Sequence, residues 1–342
     1  MKVYQNYPLK DLNAFKVEVK TKYFVVISNS KDLKVLKPYA KEKIYILGNG
    51  TNTLFTKNFD GVVAKINIKG IKIKSENKNT VKIQVGSGEN WHEFVTWAVE
   101  HNFGGTENLA LIPGQVGSSP IQNIGAYGTE LSQILDSLKT YEIETDKERT
   151  FTKYECGFSY RNSIFKHELK NKFIITSVTF ILTKNPVFDI SYTSPYDSLS
   201  RELENSSTKP YTIKDVYDSV VKIRKRKFPD WIKLGTAGSF FLNPMVNKKK
   251  LSEIKAKYPD MQIFYASNGE KIKLPAGWLL EQIGWGARRI GNVGTFDYRG
   301  QALVVVNYGG ATPQEILSFT QQMQKDFYSH FDIRLEPEVN IV

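Results

Sequence analysis

The sequence predicts an α+β protein of several units, organised around a buried glycine-rich loop. At 342 residues the chain is long enough for two or three domains. Short β-branched runs alternate with capped amphipathic segments along its length. The third observation is the stretch from Asn108 to Gly128, NLALIPGQVGSSPIQNIGAYG. Gly114, Gly117, Gly125 and Gly128, with Pro113 and Pro120, exclude a regular helix or central strand, while Leu109, Leu111, Ile112, Val116, Ile121 and Ile124 are too apolar for a solvated loop. Such a loop leaves backbone N–H groups that need partners, and Ser118, Ser119, Gln122 and Asn123 add further donors. A large polar ligand such as a diphosphate would satisfy them; a tightly packed structural loop is the alternative.

Taken in order, residues 24–27 and 44–47 read as short buried strands separated by a segment of helical character. The second run empties into Gly48-Asn49-Gly50-Thr51-Asn52, an arrangement that brings backbone amides close to phosphate or simply makes a β-turn. Position 53 is Thr53, so the third glycine of the dinucleotide fingerprint is missing and a Rossmann site is disfavoured. Val81, Ile83 and Val85 alternate with polar residues in a half-exposed strand ending at Gly86-Ser87-Gly88. Asn90 then caps a helix whose apolar face carries Trp91, Val95, Ala98 and Val99, with Glu93 three residues after the cap and Gly104 as the stop. Trp91 and Trp97 read as core residues.

Beyond the loop, Tyr141 to Ile143 and Phe173 to Leu182 are strands. Between them Arg161 sits among aromatic residues, where a guanidinium needs either an anionic ligand or a structural ion pair. Pro186 to Pro195 reads as a loop bearing Tyr192. Thr212 caps a helix through Asp215, Val216, Val220 and Ile223, and its last turn holds Arg224 to Lys227, a placement that also suits the helix dipole. A third unit is expected to open near here. Its segment from Gly235 to Pro244 sets Ser239 and Asn243 beside apolar residues, but Phe241 rules out a Gly-x-Ser-x-Gly nucleophile elbow. Pro275 to Ile283 reads as a helix closed by Gly284, Leu303 to Val306 as a buried strand, and Thr312-Pro-Gln-Glu315 as a capping box. The tail Leu335 to Val342 is strand-like, with Glu336 and Glu338 expected as exposed edge charges.

Composition narrows the function. The chain is 41% hydrophobic and has no apolar run of about 18 residues, so a soluble cytoplasmic protein without a membrane partner is expected. Cys156 is the single cysteine, and His92, His101, His167 and His330 are scattered, so neither a disulfide nor a metal site is expected. The net charge of +12 favours anionic partners. Nucleic acid is disfavoured, because no finger, recognition-helix or aromatic RNA-binding motif accompanies the basic residues, and most lysines read as solvated faces.

Together, ILGNGTNTLF at 46–55, GSGENWH at 86–92, ENLALIPGQVGSSPIQNIGAYG at 107–128, YRNSIFK at 160–166, AGSFFLNP at 237–244 and LEPEV at 335–339 resemble the UDP-N-acetylenolpyruvoylglucosamine reductase family of peptidoglycan synthesis, in its longer form with a tyrosine-bearing loop. The resemblance implies an FAD-binding fold of the vanillyl-alcohol-oxidase type in two subdomains, 1–69 and 70–211 with the returning tail 331–342, and a substrate-binding domain at 212–330. It implies non-covalent FAD held by Gly48, Asn49, Gly50, Thr51, Asn52, Pro113, Gly114, Gly117, Ser118, Ser119, Gln122, Asn123, Gly125 and Ala126. NADPH would be the reductant and UDP-N-acetylglucosamine enolpyruvate the substrate, contacted by Tyr192, Arg224, Lys227, Asn243 and Gln301. Arg161, Ser239 and Glu338 would be catalytic: Arg161 holding the substrate carboxylate, Ser239 giving a proton to carbon, and Glu338 acting as a protonated group or through Arg161 or water. A monomer is expected, with a role in cell-wall formation, cell shape and division. The alternatives are another flavin oxidase or dehydrogenase of the same fold, and a nucleotide-sugar-binding protein without catalysis.

Overall fold

The computed structural model describes residues 2–194, 196–231, 233–265, 271–298 and 301–342. Pro195, at the end of the expected tyrosine loop, lies outside them. The first sheet has the strand order Tyr4–Pro8, Lys20–Ile27, Phe59–Ile66, Ile44–Leu47, with the last three parallel and the first antiparallel at the edge. The two strands read from sequence are therefore not neighbours. Phe59–Ile66 lies between them, and its Val62, Val63 and Ala64 are fully buried, as a central parallel strand covered on both faces requires. The helical connection between the predicted strands is a 3-10 segment, Ser30–Tyr39, started by an Asn29–Asp32 capping box.

The second sheet is antiparallel throughout, in the order Lys147–Thr152, Leu135–Glu142, Phe173–Thr183, Thr80–Gly86, Ile71–Glu76. Helices α1 (Trp91–Glu100), α2 (Leu199–Ser206) and α3 (Ile213–Lys227) share a core with it that includes Val85, Trp91, Phe94, Phe180, Leu203 and Val220. Asn90 Oδ1 accepts the Glu93 N–H as its spacing predicts, but α1 ends at Glu100, short of Gly104, and Asn102 takes the left-handed φ of +57° just beyond it. The Thr212–Asp215 capping box opens α3. Its apolar stripe, Val216, Val220 and Ile223, is fully buried in the second core. This helix, grouped from sequence with the third unit, is thus fastened to the second.

The third part holds the sheet Gly235–Ser239, Val304–Asn307, Val293–Thr295, Arg289–Ile290 and a smaller sheet of Met245–Val246, Ile272–Lys273 and Phe264–Tyr265. Helices α4 (Lys248–Lys257), α5 (Ala276–Gln282) and α6 (Pro313–Phe331) flank them. Among the described residues this part has no separate core. Phe240, Phe241, Trp285 and Phe327 join Leu9, Phe15, Leu54 and Phe55 of the N-terminal part in one cluster. The junction is also hydrogen-bonded, with Asn307 Nδ2 donating to Phe15 O at 2.7 Å and the Thr236 N–H to Ala14 O at 2.8 Å.

The C-terminal tail closes the molecule. Asn340–Ile341 runs parallel to Thr53–Leu54, so the tail joins residues 1–69 and not 70–211 as expected; the free edge lies immediately after the Gly48–Asn52 turn. Val342 O accepts from the Thr56 N–H at 2.8 Å and from Thr56 Oγ1 at 2.9 Å. No helix among the described residues is long and apolar enough to cross a membrane. Removing residues 340–342 deletes several backbone hydrogen bonds, each contributing about 0.5–1.5 kcal/mol. The truncated chain is expected to lose about 1–3 kcal/mol of stability by thermal or denaturant unfolding; an unchanged midpoint would mean the tail strand holds nothing.

Candidate active site

A cavity of about 580 Å³ opens where the three parts meet. Thr51 and Asn52 come from the first part, Gln122 and Arg161 from the second, Arg224 from α3, and Ser239 and Glu338 from the third part and its tail. A second trough of about 500 Å³ runs past Asn49, Lys65 and His92 and shares Thr51, Leu111, Ile112, Pro113 and Trp231 with the first.

The turn after Ile44–Leu47 supplies the trough with backbone amides. Gly50 has φ +66°, and a Cβ there would lie 2.0 Å from Leu12 O, so the turn is pressed against the N-terminal segment. Among the described residues no protein acceptor takes the N–H of Asn49, Gly50, Thr51, Asn52 or Gly114. A run of unpaired amides beside a trough is an anion cradle. Lys65 Nζ stands next to it, 2.5 Å from Gly48 O and 3.0 Å from Asn49 Oδ1, and burial lowers its pKa to about 8. These groups fit the diphosphate of FAD. Sequence reading missed Lys65, because the strand Phe59–Ile66 that carries it was not read from the sequence and a lone lysine gives no sign of which groups its end meets.

The buried loop divides into a cavity-facing and a supporting set. Pro113, Gln122 and Gly125 line the main cavity, and Gly114 lines the second trough. Ser119 and Asn123 are buried and turned inward: Ser119 Oγ donates to Val116 O at 2.7 Å, and Asn123 Nδ2 donates to Glu130 Oε2 at 2.8 Å and Ser159 O at 3.2 Å. Ser118 Oγ donates to Gln115 O, and the Gly117 N–H to Ser87 O. Ala126 pairs with Thr129 beside Gly125. These five residues, expected to hold the cofactor, shape the loop that presents the others.

Arg161 and Glu338 face one another across the cavity wall, with Arg161 Nε 3.2 Å from Glu338 Oε1. Arg161 has φ +52° and is held by its Nη2, which donates to Gly125 O at 2.8 Å. Gln122 Nε2 also donates to Glu338 Oε1, at 3.3 Å, while Asn52 Nδ2 donates to Gln122 Oε1 and to Glu338 O, both at 3.1 Å. Glu338 is therefore no exposed edge charge. Its side chain is 16% exposed, and its N–H donates to Phe240 O at 2.8 Å. Burial raises its pKa, and the cations Arg161 and Lys166 pull against that rise. Ser239 ends the strand Gly235–Ser239, where the register against Val304–Asn307 slips between Thr236 and Ser239. Gly238, at φ +75°, sits in that irregularity, and Ser239 emerges on the cavity wall.

Of the five expected substrate contacts, Arg224 alone lines the main cavity. Its Nε donates to Leu111 O at 3.2 Å, and among the described residues it has no ion pair. Lys227 Nζ lies 3.5 Å from Tyr192 Oη and 3.9 Å from Asp197 Oδ2. Asn243 Oδ1 accepts the Ala276 N–H at the start of α5, and Gln301 is buried at a turn before Val304. The cavity also takes in Lys225 of the basic turn, and it gains Phe228 and Trp231, which the sequence reading did not single out. Their signal was the Phe-Pro-Asp-Trp run directly after the basic helical turn.

Comparison with known proteins places this arrangement. The chain is 45% identical to the UDP-N-acetylenolpyruvoylglucosamine reductase of Flavobacterium johnsoniae, covering the whole of both chains. The chain belongs to the UDP-N-acetylenolpyruvoylglucosamine reductase family. The reductase of Amoebophilus asiaticus is 41% identical, again over the full length of both. A model of an FAD binding domain matches residues 21–151, and the model of the C-terminal domain of UDP-N-acetylenolpyruvoylglucosamine reductase matches residues 230–342. The crystal structure of the reductase from Thermus caldophilus superposes with a TM-score of 0.67 over 99% of this chain and 98% of that one, at 20% identity, and so shares the fold. As a member of this reductase family the chain is an FAD-containing oxidoreductase, and the amide cradle falls inside its FAD-binding part.

The Gly50→Ala variant is expected to bind FAD at least about tenfold more weakly, since a left-handed non-glycine residue costs about 1–2 kcal/mol before the clash with Leu12 is counted. Flavin fluorescence released on dilution measures this, and wild-type retention would show that the turn does not carry the cofactor.

Proposed function

We propose that the enzyme reduces UDP-N-acetylglucosamine enolpyruvate to UDP-N-acetylmuramate, with NADPH as reductant and FAD held non-covalently in the amide cradle. The observation that carries this reading is the meeting of Arg161, Ser239 and Glu338 on the wall of one cavity beside that cradle. Bound FAD, reduced by NADPH, supplies a hydride for the terminal carbon of the enolpyruvyl double bond. Arg161, poised by Gly125 and Glu338, holds the substrate carboxylate and takes up the charge that spreads into it as the carbanion-like intermediate forms. Ser239 Oγ–H gives its proton to the neighbouring carbon, which completes the addition of hydride and proton across the double bond.

Glu338 has its Oε1 engaged by Arg161 and Gln122, which leaves Oε2 to carry a proton. The burial that raises its pKa favours that protonated form and avoids repulsion of the intermediate. Arg224 is suited to the substrate diphosphate, being a cavity-facing guanidinium without a carboxylate partner among the described residues. Lys227, three residues on along the same helix face, extends this site with Tyr192 as a rim. Asn243, which holds the start of α5, and Gln301, at the turn before Val304, stand outside the main cavity and would reach the substrate from its margin. The protein would act as a cytoplasmic monomer in cell-wall precursor synthesis, on which growth and division draw.

Stopped-flow absorbance of the flavin tests the reading against a flavin oxidase of the same fold. Reduction by NADPH should survive Ser239→Ala, whereas reoxidation by the enolpyruvyl substrate should slow by about 10²–10⁴-fold, the usual contribution of a positioned proton donor. If both half-reactions slow alike, or the variant's substrate-driven reoxidation keeps its rate, Ser239 is not the donor. Wild-type reduced enzyme that reacts with oxygen and ignores the substrate would favour the oxidase.

A further inference from the structure

Leu111 stands where the two troughs join and has φ +57°, a left-handed backbone that a leucine does not adopt unaided. Hydrogen bonds on both sides of the residue hold it there. Its N–H donates to His92 Nδ1 at 3.1 Å, and its carbonyl accepts from Arg224 Nε at 3.2 Å. His92 lies in the first turn of α1, with its ring stacked at 14° on Tyr217 of α3, and Tyr217 Oη is 2.8 Å from Thr96 Oγ1 of α1. The imidazole is thus fixed between two helices with one nitrogen aimed at Leu111.

We propose that His92 is a positioning residue: by accepting the Leu111 N–H it locks the loop so that the Leu111 carbonyl aims the Arg224 guanidinium into the substrate cavity. This rests on the reading of Arg224 as a ligand of the substrate diphosphate. Nδ1 accepts only while it carries no proton, so the ring must be neutral, with its hydrogen on Nε2. The surroundings favour that form. Burial lowers the His92 pKa, Arg224 and Lys225 of α3 lower it further, and Glu93 of α1 opposes them. Across the second trough stand Lys10, Asp11, Lys16 and Lys65, a set that is cationic on balance. Protonation turns Nδ1 into a donor facing another donor, and the bond to Leu111 is lost.

Titration of FAD-loaded enzyme with UDP-N-acetylglucosamine, a diphosphate diester of constant charge between about pH 5 and 8, tests this by calorimetry. His92→Leu is expected to weaken binding about tenfold, the effect of losing one hydrogen bond of about 1.4 kcal/mol, with FAD content unchanged. His92→Asn, whose Oδ1 can replace Nδ1 as acceptor, should recover most of the affinity. Wild-type affinity should fall as the pH drops below the ordinary histidine range of about 6.5, while the asparagine variant stays flat. Should His92→Leu fold poorly, the comparison of pH profiles between wild type and His92→Asn decides alone.

Arg224→Ala separates the two layers of the argument. If it leaves affinity unchanged, the diphosphate reading of Arg224 fails. If it weakens binding while His92→Leu does not, or the wild-type and asparagine profiles coincide, the positioning role of His92 is overturned. Loss of FAD from His92→Leu with unchanged nucleotide-sugar affinity overturns it as well, and makes His92 a cofactor residue.

Discussion

The site depends on the carboxylate of Glu338 and the groups that compensate its burial. One residue near the C-terminus is tied to Phe240 by its backbone N–H, to Asn52 by its carbonyl, and to Arg161 and Gln122 by its side chain. Removing Arg161 or Gln122 would leave the largely buried Glu338 Oε1 without its partner, and an unsatisfied buried polar group costs about 1–3 kcal/mol. The same cost that makes the pair sensitive also makes it a strong alignment device. Arg161 cannot leave Glu338 cheaply, so the three parts of the chain meet in a fixed relation around the cavity.

A shared core supports that relation. Phe240 and Phe241, which flank the Ser239 wall, are 1% exposed and pack in one cluster with Phe15, Leu54 and Phe55 of the N-terminal part. A change in the angle between the first and third parts would open that cluster, and close-packed interiors resist such strain. The amide cradle and the serine are in this way mounted on the two sides of one hydrophobic core.

Part of the backbone strain falls in the glycine-rich loop and at Arg161, around the same cavity. Leu111, Asn123, Tyr127 and Arg161 all have left-handed φ values between +45° and +57°. Residues held in sparsely populated backbone regions cost of order 1–3 kcal/mol each and persist where neighbours over-determine them. Here the neighbours are identifiable: His92 and Arg224 for Leu111, Glu130 and Ser159 for Asn123, Gly125 and Glu338 for Arg161. Charge is sorted with similar economy. Within the basic turn of α3, Arg226 is spent on Asp197 at 2.9 Å and Glu202 at 2.6 Å, whereas Arg224 and Lys225 face the cavity.

By itself the sequence determined the local elements and the inventory of chemistry. Hydrogen-bonding side chains at fixed spacing read out as the Asn90, Thr212 and Thr312 caps, since capping is a contact within one helical turn. Apolar content in a segment rich in glycine and proline identified the loop 108–128 as buried, and the order of its motifs along the chain identified the family. Tertiary structure decided everything that depends on distant partners. The central strand Phe59–Ile66, the pairing of the tail with Thr53–Leu54, and the attachment of α3 to the second core follow from edges and faces that only the assembled chain presents. It also sorted equivalent residue types: Gln122 into the cavity and Asn123 away from it, Arg224 toward the cavity and Arg226 into an ion pair, Lys65 beside the cradle among many solvated lysines. A polar side chain's role depends on what its end atoms meet, and those atoms come from sequence positions tens to hundreds of residues away.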